Sequence, residues 1–524
     1  MPNFSKPVPV SLWRPLRSST FRNLLAANVV SDVGTFMQSV GAAWLMVSLN
    51  AGPMYVALTQ TASALPFFVL ALPAGAAGDI VDRRKLILCT EIWMVIVALV
   101  IAVITIGGRM SPVALLILTF ALSAGDAFES PSWRAVLPEL VEKDDLAAAS
   151  ALNGIEFNFA RAVGPALAGA VVAFAGVAAA FLINTFSFLG VIVVVARWRR
   201  PAAMRATPPE TVAGATRAAI RYVRHSPGVL TILVRGGIAM FFASGLLALL
   251  PSIAHRVSGS PIGYGVLLGG FGCGAVLGAL AMQRARARWP ADVVVSAGIA
   301  IFGLASMAAG ALRAVPALGA VMLVGGAAWV SFLSLFNVQV LNQAPDWVRA
   351  RVLAVAMLVF QGAVAAGSAT WGALAARVGL SGALLWAGVG AILSVSLTLF
   401  LRLSDANQDL TPWNHWRTPV ISADADSGGP ILVTIEYDVA PERAPEFIET
   451  MREYGRVRRR DGATRWGISE DLEFPNRYLE TFLVSSWAEH LRQHDRITRA
   501  DSQIEQRIRN SIREAPRVRH LVYL

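Results

Sequence analysis

Between residues 22 and 401 the chain is apolar almost throughout, and Gly, Pro and charge cut it into runs of the length a bilayer demands. A helix crosses the hydrocarbon core in about 20 residues. Twelve such runs are expected, near 22–49, 54–77, 85–106, 112–137, 148–174, 177–197, 229–254, 261–283, 291–312, 316–342, 351–376 and 380–401. Backbone amides in lipid must find partners within their own segment, so runs of this kind are helices. With 55% hydrophobic residues, the chain carries more apolar surface than a soluble core uses. The net charge of +11 gathers at the ends of the apolar runs, which suits a topology signal better than a nucleic-acid surface. Nearly all the bases are Arg, with Lys only at 6, 85 and 143, a bias that suits a GC-rich bacterial genome. Cys89 and Cys273 lie far apart inside apolar runs, so neither a disulfide framework nor a cysteine metal site is expected. No small-residue cleavage site follows a short apolar core, so the first run is expected to be retained.

Orientation follows from the bases in the connections. One side collects Arg83, Arg84 and Lys85, seven arginines between 197 and 224, then Arg284, Arg286, Arg288, Arg349 and Arg351. The other has Arg109, Arg256, Arg313 and Arg377. Both termini are therefore expected in the cytoplasm. The basic connection 198–228 divides the runs into two groups of six, 22–197 and 229–401, preceded by an N-terminal segment 1–21. The groups echo each other: Gly75-Ala76-Ala77-Gly78 before Arg83 corresponds to Gly278-Ala279-Leu280-Ala281 before Arg284. Two repeated six-helix bundles around a midplane site are the expected plan.

Past Leu401 the composition changes. Residues 402–429 are polar, with Pro412, Pro419 and Gly428-Gly429, and read as a linker. From 430 to 524 the order is βαββαβ, with strands opening at Ile431, near 463–470, near 477–486 and at 517–523, and helices to about 460 and over 487–512. That is a split βαβ, ferredoxin-like α+β domain, soluble and cytoplasmic.

Gly75-x-x-x-Asp79-x-x-x-Arg83-Arg84-Lys85 resembles the loop signature of the major facilitator superfamily, with Ile80 where Arg is usual and Asp82 where a second Gly is usual. Gly125-Asp126, Pro138-Glu139-Leu140-Val141, Arg161-Ala162-Val163-Gly164-Pro165 with Gly169, and Pro345-x-Trp347-x-Arg349-x-Arg351 resemble its bacterial branch of enterobactin exporters and transmembrane secretion effectors. The resemblance implies a transporter of the bacterial inner membrane. It also implies a conformational latch at Gly75, Asp79, Asp82, Arg83 and Arg84, with Asp79 accepting hydrogen bonds from a neighbouring helix end. Gly164-Pro165 with Gly169 resembles the fifth-span signature of drug antiporters, which favours export. Ser486 to His494 resembles the soluble tail of some members of the branch.

An ionisable side chain inside a span costs at least ~2.5–3.5 kcal/mol, so each is a functional candidate. Asn28, Asp32, Thr35 and Ser39 form one polar stripe on the first helix and are expected to face a central cavity. Asp32, Asp126, Glu129 and Arg161 are the expected proton-coupling set, a movable Asp–Arg contact being a proton switch, with a static ion pair as the alternative. Asn28, Thr35, Asn158 and Arg235 are expected to line the substrate cavity. The expected function is secondary export of an amphipathic drug or siderophore by proton antiport and alternating access. The alternatives are an importer of the same fold, or a transporter fused to a cofactor-free monooxygenase-like domain. Substrate, lipid and protons are the expected partners, with no nucleic acid. No catalytic residue, no cofactor and no enzyme activity are expected. Tyr478 to Val484 has apolar residues on both parities, which suggests a second copy of the tail against the sheet, hence a candidate homodimer. His490 and His494, one helical turn apart, are either a metal pair or packing.

Overall fold

The computed structural model of the chain describes residues 11–71, 73–74, 77, 81–198, 212–403, 409–413 and 429–522. By mutual contact the chain divides into two compact units, one of residues 1–208, 235–335 and 357–402, the other of 209–234, 336–356 and 403–524.

The first unit is helical. Its first half comprises α1 (Ser19–Ser48), α2 (Gly52–Val69), α3 (Arg83–Ile106), α4 (Pro112–Leu140), α5 (Leu146–Ala175) and α6 (Val177–Arg197). Side-chain caps start several of them: Ser18 accepts from Phe21 N, Asp82 from Lys85 N and Ser111 from Ala114 N. Asn50, Gly52 and Gly176 take positive φ, which turns the chain sharply after α1 and α5. Met46, Ile101, Leu115 and Phe181 are fully enclosed where α1, α3, α4 and α6 meet. Ile96, Ile117, Phe186 and Leu280 point outward, an apolar surface fit for lipid.

In the second half lie α8 (Pro227–Ser258), α9 (Pro261–Arg288), α10 (Ala291–Ala311), α11 (Val315–Asn342) and α12 (Asp346–Ser394). Gly379, with φ 80°, breaks α12 into two arms at the boundary between the eleventh and twelfth apolar runs. Nine helices among the described residues are long and apolar enough to cross a membrane, α12 counting once. α1, with its polar stripe, and α2 are not among the nine.

The second unit contains α7 (Val212–His225), a helix inside the basic connection, together with parts of α8, α11 and α12 and the tail. The tail forms β1 (Ile431–Asp438), α13 (Ala444–Asp461), β2 (Arg465–Glu470), β3 (Arg477–Val484), α14 (Trp487–Arg496), α15 (Arg499–Ser511) and β4 (Arg517–Val522). The strands make one antiparallel sheet in the order β2-β3-β1-β4, with Ile431 opposite both Val484 and Val522. Alternate β1 residues, Val433 and Ile435 among them, bury with Phe447, Met451 and Phe482 under the helices. The single helix expected over 487–512 is two, because Thr498 and Asp501 form a capping box that starts α15 afresh.

Candidate functional site

The polar stripe of α1 runs past four other acids. Asp32 lies within hydrogen-bonding reach of Glu156 on α5. On the neighbouring helices, Glu91 of α3 and Glu129 of α4 make a second carboxyl pair, and Thr90 Oγ1 donates to Glu129 Oε2 at 2.9 Å. Asp126, one turn before Glu129, is close enough to Asp32 to feel its charge. Asp126 is solvent-exposed. Glu91 and Glu156 are buried, and among the described residues Glu91 Oε2 and Glu156 Oε1 receive no hydrogen bond from a donor group.

Sequence reasoning singled out Asp32, Asp126 and Glu129 but missed Glu91 and Glu156. The signal was available: both acids sit inside apolar runs, where the insertion cost alone marks them. Arg161 is placed otherwise than expected. It is partly buried on α5, and among the described residues it has no acidic partner within ion-pair distance, so the Asp–Arg contact is not made here.

The remaining stripe residues are locally satisfied. Ser39 Oγ donates to Thr35 O at 3.0 Å. With its amide oriented to suit its neighbours, Asn28 donates to Leu24 O and accepts from Trp133 Nε1 at 3.2 Å. Asn158 is exposed and bonds back to Gly154 O at 2.7 Å. Arg235 does not face a cavity. It is 3% exposed, ion-paired to Asp292, and donates to Leu401 O, Ser296 Oγ and Thr398 Oγ1. With four of its five N–H groups given to protein partners and its side chain buried, Arg235 is held as a structural ion pair, which corrects the expectation.

Gly75 and Asp79 of the expected latch lie outside the described residues. Asp82 caps α3. Arg83 pairs with Glu139 Oε1 at 2.6 Å and donates to Ala135 O, both on α4. Arg84 Nε donates to Val195 O at 3.0 Å at the end of α6. The two arginines thus fasten α3 to its own half.

Contacts between the halves include a set at the helix ends away from the Arg-rich connections, and others at mid-helix such as Thr61 Oγ1 donating to Ala365 O at 3.0 Å. Trp44 stacks on Tyr264 at 6.3 Å and meets His255 edge-on. A Cβ on Gly169 would lie 3.0 Å from Gly265 Cα, and one on Gly372 would meet Ala57 and Met54. Glycine is required at these seams because backbone faces backbone. In the tail, His490 Nε2 and His494 Nε2 are 3.3 Å apart, and Gln493 Oε1 lies 3.2 Å from His490 Nδ1. Burial, with His494 beside it, pushes His490 down to about 3. Among the described residues no group of three or more His, Cys, Asp or Glu is placed to hold a metal ion.

Comparison with known proteins gives the family from sequence and a shared fold from solved structures. The staphyloferrin A transporter of Staphylococcus aureus is 26% identical over 143 residues, 27% of this chain and 36% of that protein, so the match spans about a third of that relative. The multidrug efflux pump Tap of Mycolicibacterium fortuitum is 22% identical over 72% of this chain and 94% of its own length. In fold, a bacterial homologue of the human lysosomal transporter Spinster, solved inward-facing and occupied, superimposes with TM-score 0.61 at 13% identity, covering 74% of this chain and 97% of its own. A family model described as transmembrane secretion effector matches residues 10–524, and with that match over nearly its whole length the chain belongs to this family of major facilitator superfamily transporters, as a multi-pass membrane protein.

Proposed function

We infer that the protein is a twelve-span exporter of small amphipathic molecules, of the drug or siderophore class, driven by proton influx across the bacterial cytoplasmic membrane. The observation that carries this reading is the line of acids Glu156, Asp32, Asp126, Glu129 and Glu91, drawn from four helices of one half and paired carboxyl to carboxyl. Among the described residues no cation is ion-paired to these acids, and such a line holds protons and gives them up when a solute or water alters the spacing. The six-helix groups 22–197 and 229–401 alternate about it. The Gly169–Gly265 and Trp44–Tyr264 seams support a reading in which that end is the closed one and the acids are reached from the Arg-rich side, taken as cytoplasmic. Loading from inside and release outside then follow, with both termini cytoplasmic. The loop from Gly75 to Arg84 latches the opposite arrangement. The tail is a ferredoxin-like domain whose open sheet face, with Leu479 and Leu521 exposed, is fit for a second copy.

Proteoliposomes carrying an internal pH dye and an imposed proton gradient test the coupling, with a hydrophobic cationic dye and a hydroxamate siderophore as probes. Asp32→Asn and Asp126→Asn are expected to reduce substrate-dependent proton flux to that of protein-free liposomes. Undiminished coupled flux in both variants removes the reading.

A further inference from the structure

Two helices of the second unit carry arginines at helical spacing along one face: Arg217, Arg221 and Arg224 on α7, and Arg452, Arg456 and Arg459 on α13. The two helices pack together. Arg221 Nε donates to Arg460 O at 3.3 Å, and the Arg460 guanidinium lies 5.7 Å over the Tyr222 ring, so the last turns of α7 and α13 adjoin. Arg221 is already paired, its Nη2 meeting Glu489 Oε1 at 2.9 Å. The others are not: among the described residues Arg217, Arg224, Arg452, Arg456 and Arg459 enter no ion pair, and Arg459 Nε is buried without a hydrogen bond. His225 sits in their field. Burial pushes its imidazole below the usual value, and Arg459, Arg224 and Arg221 lower it further. The carboxylate at hand, Glu489, is shared among Arg221, Arg492 and Arg496.

Like charges gathered in this way repel one another unless an anion joins them. The chain itself indicates which anion. Ser226 alone separates α7 from α8, whose first turns expose Leu230 and Val234 as a lipid-facing surface, and Ile220 stands exposed among the arginines of α7. Arg224 and His225 therefore lie where a span meets the headgroups, and a cluster of arginines beside a membrane helix is suited to anionic lipid. We propose that α7 and α13 together form a binding site for the phosphate headgroup of an anionic phospholipid, with Arg224 and Arg459 as its cations, His225 beside them, and Arg217 and Arg456 extending it along the two helices. Arginine fits the part because its planar fork grips two phosphate oxygens at once. The site requires only that α8 cross a bilayer, so neither export nor proton coupling enters it.

The test uses the full chain in nanodiscs of phosphatidylcholine, alone or with increasing phosphatidylglycerol, and reads hydrogen exchange over 217–225 and 452–461. Protection of both segments is expected to rise with phosphatidylglycerol. Arg224→Gln and Arg459→Gln are each expected to raise the phosphatidylglycerol content needed for half the effect by about fivefold, and together by about 25-fold. Arg224→Lys, which keeps the charge and loses the fork, is expected to fall between Arg224→Gln and the wild type. Arg224 is exposed, so its replacement leaves the core intact, and equal melting temperatures in lipid-free detergent check this. Arg284→Gln on α9 is the control for general basic attraction and is expected to leave both segments as in the wild type. Protection that does not respond to phosphatidylglycerol in the wild-type protein overturns the site. A rise undiminished in the two Gln variants overturns the residues assigned to it, and a rise matched by inorganic phosphate in phosphatidylcholine discs overturns the lipid as its ligand.

Discussion

At the scale of single residues, partner identity decides what a buried charge can do. Glu480 is fully buried in the tail, yet it accepts from Tyr437 at 2.8 Å, Trp466 at 2.8 Å and Arg458 at 3.2 Å, a saturated arrangement that holds structure. Asp32 and Glu156 meet each other instead, and Glu156 Oε1 receives no hydrogen bond among the described residues, which under the proposed function leaves the pair able to exchange a proton. Sequence could mark both kinds of acid through their apolar surroundings but could not tell them apart, because pairing across helices is set by tertiary packing. His490 makes a testable case of the same point. The unfolded chain takes a proton on this ring near pH 6.5, while the folded tail refuses it until about 3. With its folded value depressed, the unfolded state binds more protons between those limits, so stability falls as pH drops through the window, by at most about 1.4 kcal/mol per pH unit. Hydrogen exchange of β3 and α14 in the full chain, compared at pH 7 and pH 5, is expected to show the loss. His490→Phe is expected to flatten this dependence, and parallel slopes in the two proteins would contradict the assignment.

At the scale of elements, the glycines separate seams from surfaces. The signature Gly164-Pro165 with Gly169 was legible as a close-packing helix, but its partners were not. Gly164 turns out to face Phe36 of α1, while Gly169 faces Gly265 of α9 in the other half. One short motif therefore serves both an internal contact and a contact between halves. A side chain at 169 meets Gly265 Cα at 3.0 Å and Pro261 O at 3.1 Å, backbone atoms that cannot swing aside. Gly169→Val is expected to cost the closed seam about 1–3 kcal/mol. That amounts to a shift of about 5–150-fold toward the arrangement in which α5 and α9 part. The distance between spin labels on the native cysteines, Cys89 in the first half and Cys273 in the second, both exposed, checks it. Gly190→Ala on α6, where a Cβ meets nothing within 4 Å, is the control, expected to be neutral or stabilising by up to about 1 kcal/mol. The break of α12 at Gly379 and the restart at Thr498 follow similar logic. Apolar patterning ended the eleventh run correctly, whereas the amphipathic pattern of 487–512 ran straight across a cap that only its hydrogen bonds reveal.

At the scale of the whole molecule, the sequence divides by composition and the structure by contact. Polarity after Leu401 suggested a tail set apart by a linker, and basic character made 198–228 a plain connection. Composition cannot register that Tyr222 and Val223 of that connection are buried, or that Arg460 of the tail sits 5.7 Å over the Tyr222 ring. A compact unit built from 209–234, 336–356 and 403–524 makes the tail part of the framework around the ends of α8, α11 and α12. Cutting the chain after Arg402 therefore leaves more than a shorter transporter. Arg221 loses Glu489, Trp347 loses the Arg496 guanidinium, and Tyr222 loses the cover of α13. A large side chain returned from burial to water forfeits about 1.5–3 kcal/mol. The truncated protein in detergent is expected to melt at lower temperature and to elute less uniformly on size exclusion than the full chain. Arg221→Ala in the full chain is expected to fall between the two. Were the truncated protein as stable as the whole, these contacts would be ornaments on a tethered domain, and composition alone would have described the chain correctly.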